Sequence, residues 1–152
     1  MKLVKVLLLI IWLVPISNVF AQPTFTDSER KTGYALREDT TWFVFDLGYY
    51  KKASVEKVVV TGSFRGWSQD LDDVAYHLKN YQSFWAIALF NPKYEKIAPG
   101  AEFKFRIDKG DWLDPHGAAP NIKNGNLSFM HNVTPPSLVA EILENGSIVA
   151  YT

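Results

Sequence analysis

Apolar and polar residues alternate with a period of two through the middle of the chain. Phe43, Phe45 and Leu47 interleave with Trp42, Val44 and Asp46, and Phe103, Phe105 and Ile107 interleave with Glu102, Lys104, Arg106 and Asp108. That period sends successive side chains to opposite faces of a pleated backbone, so both stretches predict strands buried on one side. Short apolar or β-branched runs at 55–61, 84–90, 127–133, 138–144 and 148–151, most of them bounded by turn residues, predict further strands. No long stretch carries a helical stripe; residues 71–78, behind Asp70, predict a turn or two of helix at most. Short strands at this spacing predict an all-β domain, two antiparallel sheets packed as a sandwich.

The two ends depart from this pattern. Residues 1–21 carry Lys2 and Lys5, an apolar centre from Val6 to Val14, a proline, and then Val19-Phe20-Ala21. This layout predicts a secretory signal peptide cleaved after Ala21, and hence a secreted protein, periplasmic or extracellular. The apolar centre falls short of the roughly 18 residues that cross a bilayer, so no membrane partner is expected after cleavage. Residues 22–39 are polar and mixed and predict an N-terminal arm that pairs loosely with the first strand. The sandwich is expected over 40–133. In 134–152, Thr134-Pro135-Pro136 forms a stiff junction, and two strand-like runs around Asn145-Gly146 predict a hairpin. A lone hairpin is marginal in water, so it either folds back onto the sandwich or opens a second domain.

Composition narrows the function. The 152 residues suit one domain. With 47% hydrophobic and 14% aromatic residues the chain has an aromatic excess that needs explaining, and without cysteine it has neither a disulfide nor a lipid-modified cysteine. Without the two leader lysines, 14 basic residues stand against 16 acidic ones, a net charge of −2. The basic residues are scattered, and nucleic acid is excluded as a partner. Catalytic machinery is not evident. His77, His116 and His131 stand singly, with no second histidine at ligand spacing, so no metal or other cofactor is expected. Asp70, Asp72 and Asp73 lack the glycine and glutamate of a calcium loop and read as a solvated turn with a cap at Asp70. The triplets at 126–128, 132–134 and 145–147 match the glycosylation acceptor pattern, which arises often by chance.

The tryptophans divide by position. Trp85 lies inside an apolar strand and Trp42 in an alternating one, and both are assigned to packing, as are Phe103 and Phe105. Trp67 instead follows a strand in a glycine-containing turn, and Trp112 follows another through Asp108-Lys109-Gly110-Asp111. A hexose has a face of CH groups and a rim of hydroxyls, so an indole at a loop edge with polar neighbours complements it.

The runs VVVTGSFRGWS (58–68), FWAIAL (84–89), EFKFRIDKGDWLDP (102–115) and NGNLSFM (124–130) resemble, in this order, carbohydrate-binding module family 48. That family includes the glycogen-binding domain of the AMP-activated protein kinase β subunit and the N-terminal domains of α-glucan-active glycoside hydrolases. The resemblance covers about residues 40–133. It implies an immunoglobulin-like sandwich of the early-set type and a non-catalytic module that binds α-1,4-glucans such as glycogen, starch or maltooligosaccharides. It further implies a sugar platform of Trp67 and Trp112, with Lys104 and Asn126, or Asn124 through a gap, holding hydroxyls. Two departures matter: Phe64-Arg65-Gly66-Trp67 stands where the kinase branch has asparagines before the tryptophan, and one extra residue precedes Trp112, which would tilt the platform. Enzyme-linked members that have lost sugar binding imply an alternative, an N-terminal packing domain of a truncated or split glycoside hydrolase whose partner is the catalytic domain. The tail after Pro135-Pro136 favours that alternative.

Overall fold

The computed structural model describes residues 22–129 and the backbone of two later strands. In chain order the elements are helix α1 (Asp27–Thr32) and strands β1 (Tyr34–Arg37), β2 (Thr40–Asp46), β3 (Val58–Gly62), β4 (Lys79–Asn80), β5 (Phe84–Phe90), β6 (Glu102–Ile107), β7 (Asp111–Leu113), β8 (Ile122–Lys123), β9 (Asn126–Ser128), β10 (Val139–Ile142) and β11 (Ile148–Tyr151). One sheet has the order β1-β2-β5-β4. The other has the order β3-β6-β9-β8, with β7 also paired to β6. Every pairing is antiparallel.

The alternation in β2 and β6 sorts their side chains between a common interior and the outside. Phe43, Phe45 and Trp85 from the first sheet meet Val58, Val60, Phe103, Phe105 and Ile107 from the second in one buried cluster. The other face of the first sheet is covered too. Val44, Phe84 and Ala86 form a smaller cluster roofed by Phe25, Trp42 and Tyr81, and the Phe25 ring meets both Trp42 and Phe84 edge-on. The second sheet keeps Glu102, Lys104 and Arg106 on its outward side.

Residues 22–39 are more ordered than a loosely paired arm. Thr26 and Glu29 form a reciprocal capping box at the start of α1, which satisfies two donors that an uncapped helix would leave open. Arg30 donates to Asp46 at 3.0 Å and lies 4.7 Å from the centre of the Phe84 ring. β1 then pairs with β2 over four residues. Within residues 71–78 the expected turn of helix forms, but its cap is not Asp70. A single 3-10 turn, Val74–Tyr76, is capped by Asp73, whose carboxylate accepts the Ala75 N–H, while Asp70 accepts the Asp72 N–H instead. β3 begins at Val58 rather than 55, and β9 covers Asn126–Ser128, while 130–133 of the expected run lie outside the described residues. β10 and β11 pair antiparallel; the turn expected between them at Asn145-Gly146 lies outside the described residues. The signal-peptide stretch 1–21, His131, the triplets at 132–134 and 145–147 and the Pro135-Pro136 junction lie outside the described residues.

His116 is a structural histidine. Its ring stacks on Tyr49 at 4.9 Å and meets Tyr50 edge-on at 5.0 Å, and neither nitrogen has a partner at hydrogen-bond geometry. Burial lowers its pKa below the ordinary 6.5, and the nearby Lys31 backbone and Asp46 oppose this without reversing it. The unfolded chain therefore takes up the proton first as pH falls. Stability contributed by the neutral ring is present above about pH 6.5 and lost as pH drops below it. The melting temperature is expected to fall over that window in the parent and to fall less in His116→Phe, as thermal unfolding at a series of pH values would read.

Candidate functional site

The outward side of the second sheet gathers the residues that the sequence singled out. β3 ends at Gly62, a 3-10 turn follows over Ser63–Arg65, and Gly66 and Trp67 both take left-handed backbone, each with φ of 57°. That conformation is rare for a bulky residue and costs about 1–3 kcal/mol. It is held by the Trp67 N–H, which donates to the Gly62 carbonyl at 2.9 Å. Phe64 stacks on Phe43 at 5.4 Å and 19°, at the margin of the core. Arg65 donates to the Val60 carbonyl and to Asp73, with its guanidinium 3.8 Å from the centre of the Tyr76 ring. Phe64 and Arg65 therefore anchor the turn, one to the interior and one to the 70s segment.

Trp112 comes from β7, directly across from Arg106 on β6. Its ring centre is 6.3 Å from that of Trp67, with the planes inclined at 48°. The rings are neighbours on one rim, tilted rather than coplanar. Trp112 is 42% exposed and Trp67 half-buried.

Lys104 stands next to Arg106 on the outward side of β6, about 6.6 Å away at ~3.3 Å per residue. Its ammonium donates to Asp114 at 2.8 Å and holds that carboxyl below the ordinary carboxylate value. Asp114 is almost wholly exposed, and such pairs contribute about 0–1 kcal/mol, so a ligand hydroxyl can compete for Lys104 at little cost. The β6–β9 register runs Glu102 to Ser128 and Phe103 to Leu127; carried one residue further, it sets Asn126 opposite Lys104. The Asn126 amide donates to Glu102 at 2.7 Å, and Asn124 donates to the other oxygen of the same carboxylate at 2.8 Å. Both candidate asparagines thus share one anchor, and Asn126 keeps its carbonyl oxygen for a ligand. Trp67, Lys104, Trp112 and Asn126 all converge on one face.

Two residues of this face escaped the sequence reading. Glu102 joins Asn124 and Asn126 and lies 4.0 Å from the Lys123 ammonium. Arg106, placed by alternation among ordinary outward residues, is only 8% exposed and lies beneath Trp112. An arginine two residues from Lys104, between two loops that each carry a tryptophan, was the available signal.

The face is an open rim. A cavity of about 400 Å³ lies elsewhere, among Ser28, Thr32, Leu36 and Asn121. Among the described residues no cluster of histidine, aspartate and glutamate could hold a metal ion. Comparison with protein-family models and with curated proteins finds no match for this chain.

Proposed function

We propose that this protein is a secreted, non-catalytic module that binds α-1,4-glucans, with the sandwich belonging to the immunoglobulin-like, early-set type. The observation that carries the reading is the pair of indoles from two segments distant in sequence, the turn after β3 and strand β7, 6.3 Å apart on one rim beside Lys104. Each ring offers a flat apolar surface to a hexose face, worth about 0.5–1.5 kcal/mol beyond area burial. The 48° inclination suits a chain that curves from one residue to the next better than a flat ribbon. Lys104 donates to hydroxyls, and the Asn126 carbonyl oxygen and Glu102 accept from them. The backbone strain at Trp67 supports the reading as well, since the turn holds a large ring in a costly conformation at the solvent edge. Export follows from the leader pattern in residues 1–21.

The test is electrophoresis through gels containing glycogen. The parent is expected to be retarded, and Trp67→Ala and Trp112→Ala are each expected to bind about tenfold more weakly, the equivalent of about 1.4 kcal/mol. Migration of both variants like the retarded parent would sink the platform.

A second reading, an N-terminal packing domain for a glycoside hydrolase, draws on a different surface. Phe90 and Val74 are 63% and 76% exposed, and Phe90 borders a groove with Phe64, Tyr76 and Ile97. A catalytic domain seated there would leave the indole rim free.

A further inference from the structure

We infer that Arg106 is the positioning residue that sets the two indoles against each other, and that its loss uncouples them while the sandwich persists. The inference about the ring pair stands on geometry alone; its consequence for sugar rests on the glucan reading above.

Trp67 lies in the loop after β3, and Trp112 on β7 just beyond the β6–β7 loop; β6 separates these two loops in sequence but not in space. Among the described residues, Arg106 is the side chain that hydrogen-bonds to both loops. Its Nε and Nη2 donate to the Gly110 carbonyl at 2.9 and 2.8 Å, in the turn before Trp112. Its Nη1 donates to the Gln69 carbonyl at 2.7 Å, two residues beyond Trp67. The guanidinium carbon lies 4.8 Å from the centre of the Trp112 ring. One planar group therefore grips the Trp112 loop, the Trp67 loop and the Trp112 ring itself.

The chemistry of this contact is specific to arginine. A planar fork makes two parallel donations to one carbonyl and a third elsewhere while its face remains free for an aromatic ring. Lysine keeps the charge but has neither fork nor plane. Among the described residues no carboxylate pairs with Arg106. A buried cation answered only by carbonyl dipoles and a π face is expensive to hold, and an apolar residue would serve packing better. Gly110 fits the same design. A Cβ there would stand 2.6 Å from Arg106 Nη2 and 2.8 Å from Leu71, and its φ of 108° is one that side chains avoid. The turn is shaped around the guanidinium.

Two indoles 6.3 Å apart and inclined at 48° couple their excited states. Far-ultraviolet circular dichroism then carries a signed couplet that neither ring gives alone, and Trp67→Phe and Trp112→Phe define it by abolishing it. Arg106→Met and Arg106→Lys are expected to lose more than about half of the couplet while still melting cooperatively, and to weaken glycogen retention about tenfold. A couplet of parent intensity in either folded variant would overturn the inference. If Arg106→Met does not melt cooperatively, Arg106→Lys decides by the same criterion; if neither does, Arg106 supports the fold as a whole and the positioning role is lost. A parent that glycogen fails to retard would remove the glucan reading and leave the couplet to judge Arg106 by itself.

Discussion

Phe103→Ala is expected to lower the unfolding free energy by about 3–5 kcal/mol, the range for emptying a fully buried aromatic site. Phe103 has no exposed surface. Its ring meets Phe43 at 4.8 Å, Phe105 at 5.8 Å and Tyr34 at 6.4 Å, so it touches both sheets and closes the end of the core beneath the Trp67 turn. The neighbours cannot collapse into the space easily, because each is itself held by strand pairing. A domain of this kind has about 5–15 kcal/mol in total, and with no cysteine in the chain no cross-link offsets the loss. Urea titration reads the effect as a lower midpoint at unchanged slope. Lys104→Ala, one residue along on the outward side, is expected to stay within about 0.5 kcal/mol of the parent. A Phe103→Ala loss below about 1 kcal/mol would mean that Phe103 does not fill the core as described.

The contrast between those neighbours marks what the sequence could tell. In β2 and β6 the alternation is long enough to fix both the strand and its inward face, and Phe43, Phe45, Phe103 and Phe105 are buried accordingly. β4 and β8, at two residues, and β7, at three, are too short to carry a period, and β1 mixes Tyr34, Ala35, Leu36 and Arg37 without one. The cover over the first sheet was hidden because it depends on Phe25, a single ring well upstream of the strands that it roofs. At the short helix-like segment two aspartates compete for one cap, and Asp73 wins because it sits immediately before the turn.

The site divides in the same way. Trp67 was legible because a large ring in a turn after a strand has few structural reasons to be there; Trp112, expected on a loop edge, lies instead within the three-residue strand β7. Lys104 was legible by alternation, which gives a side chain its face. Alternation does not say what crosses that face. Arg106 shares a side with Lys104, yet the loop bearing Gln69 closes over one and leaves the other half-buried, with its ammonium on the exposed Asp114. Asn126 was placed by resemblance; that Glu102 holds its amide follows from the diagonal relation of β6 and β9, which no single-strand pattern contains.

Gly62→Ala is expected to damage both stability and the indole pair, for lack of room rather than lack of conformational freedom. Gly62 has φ of 178°, extended backbone open to any residue. A Cβ at this position would stand 2.3 Å from the Glu102 carbonyl oxygen, 3.0 Å from Phe103 Cα and 2.8 Å from the Phe64 ring. The first two atoms are backbone of β6 and can retreat only if β3 and β6 part. Overpacking against side chains costs about 1–3 kcal/mol; here the obstacle is the sheet itself, and a loss at or above the top of that range is expected. Parting the strands breaks the Gly62–Phe103 pair and shifts the carbonyl that receives the Trp67 N–H, so the circular-dichroism couplet should fall together with the urea midpoint. Gly66→Ala is the control. Nothing lies within 4 Å of its Cβ position, so it meets only the penalty of a left-handed backbone, about 1–2 kcal/mol. Equal losses in the two variants would show that space against β6 is not what requires glycine at position 62, and the tight β3–β6 contact beneath Trp67 would have to be abandoned.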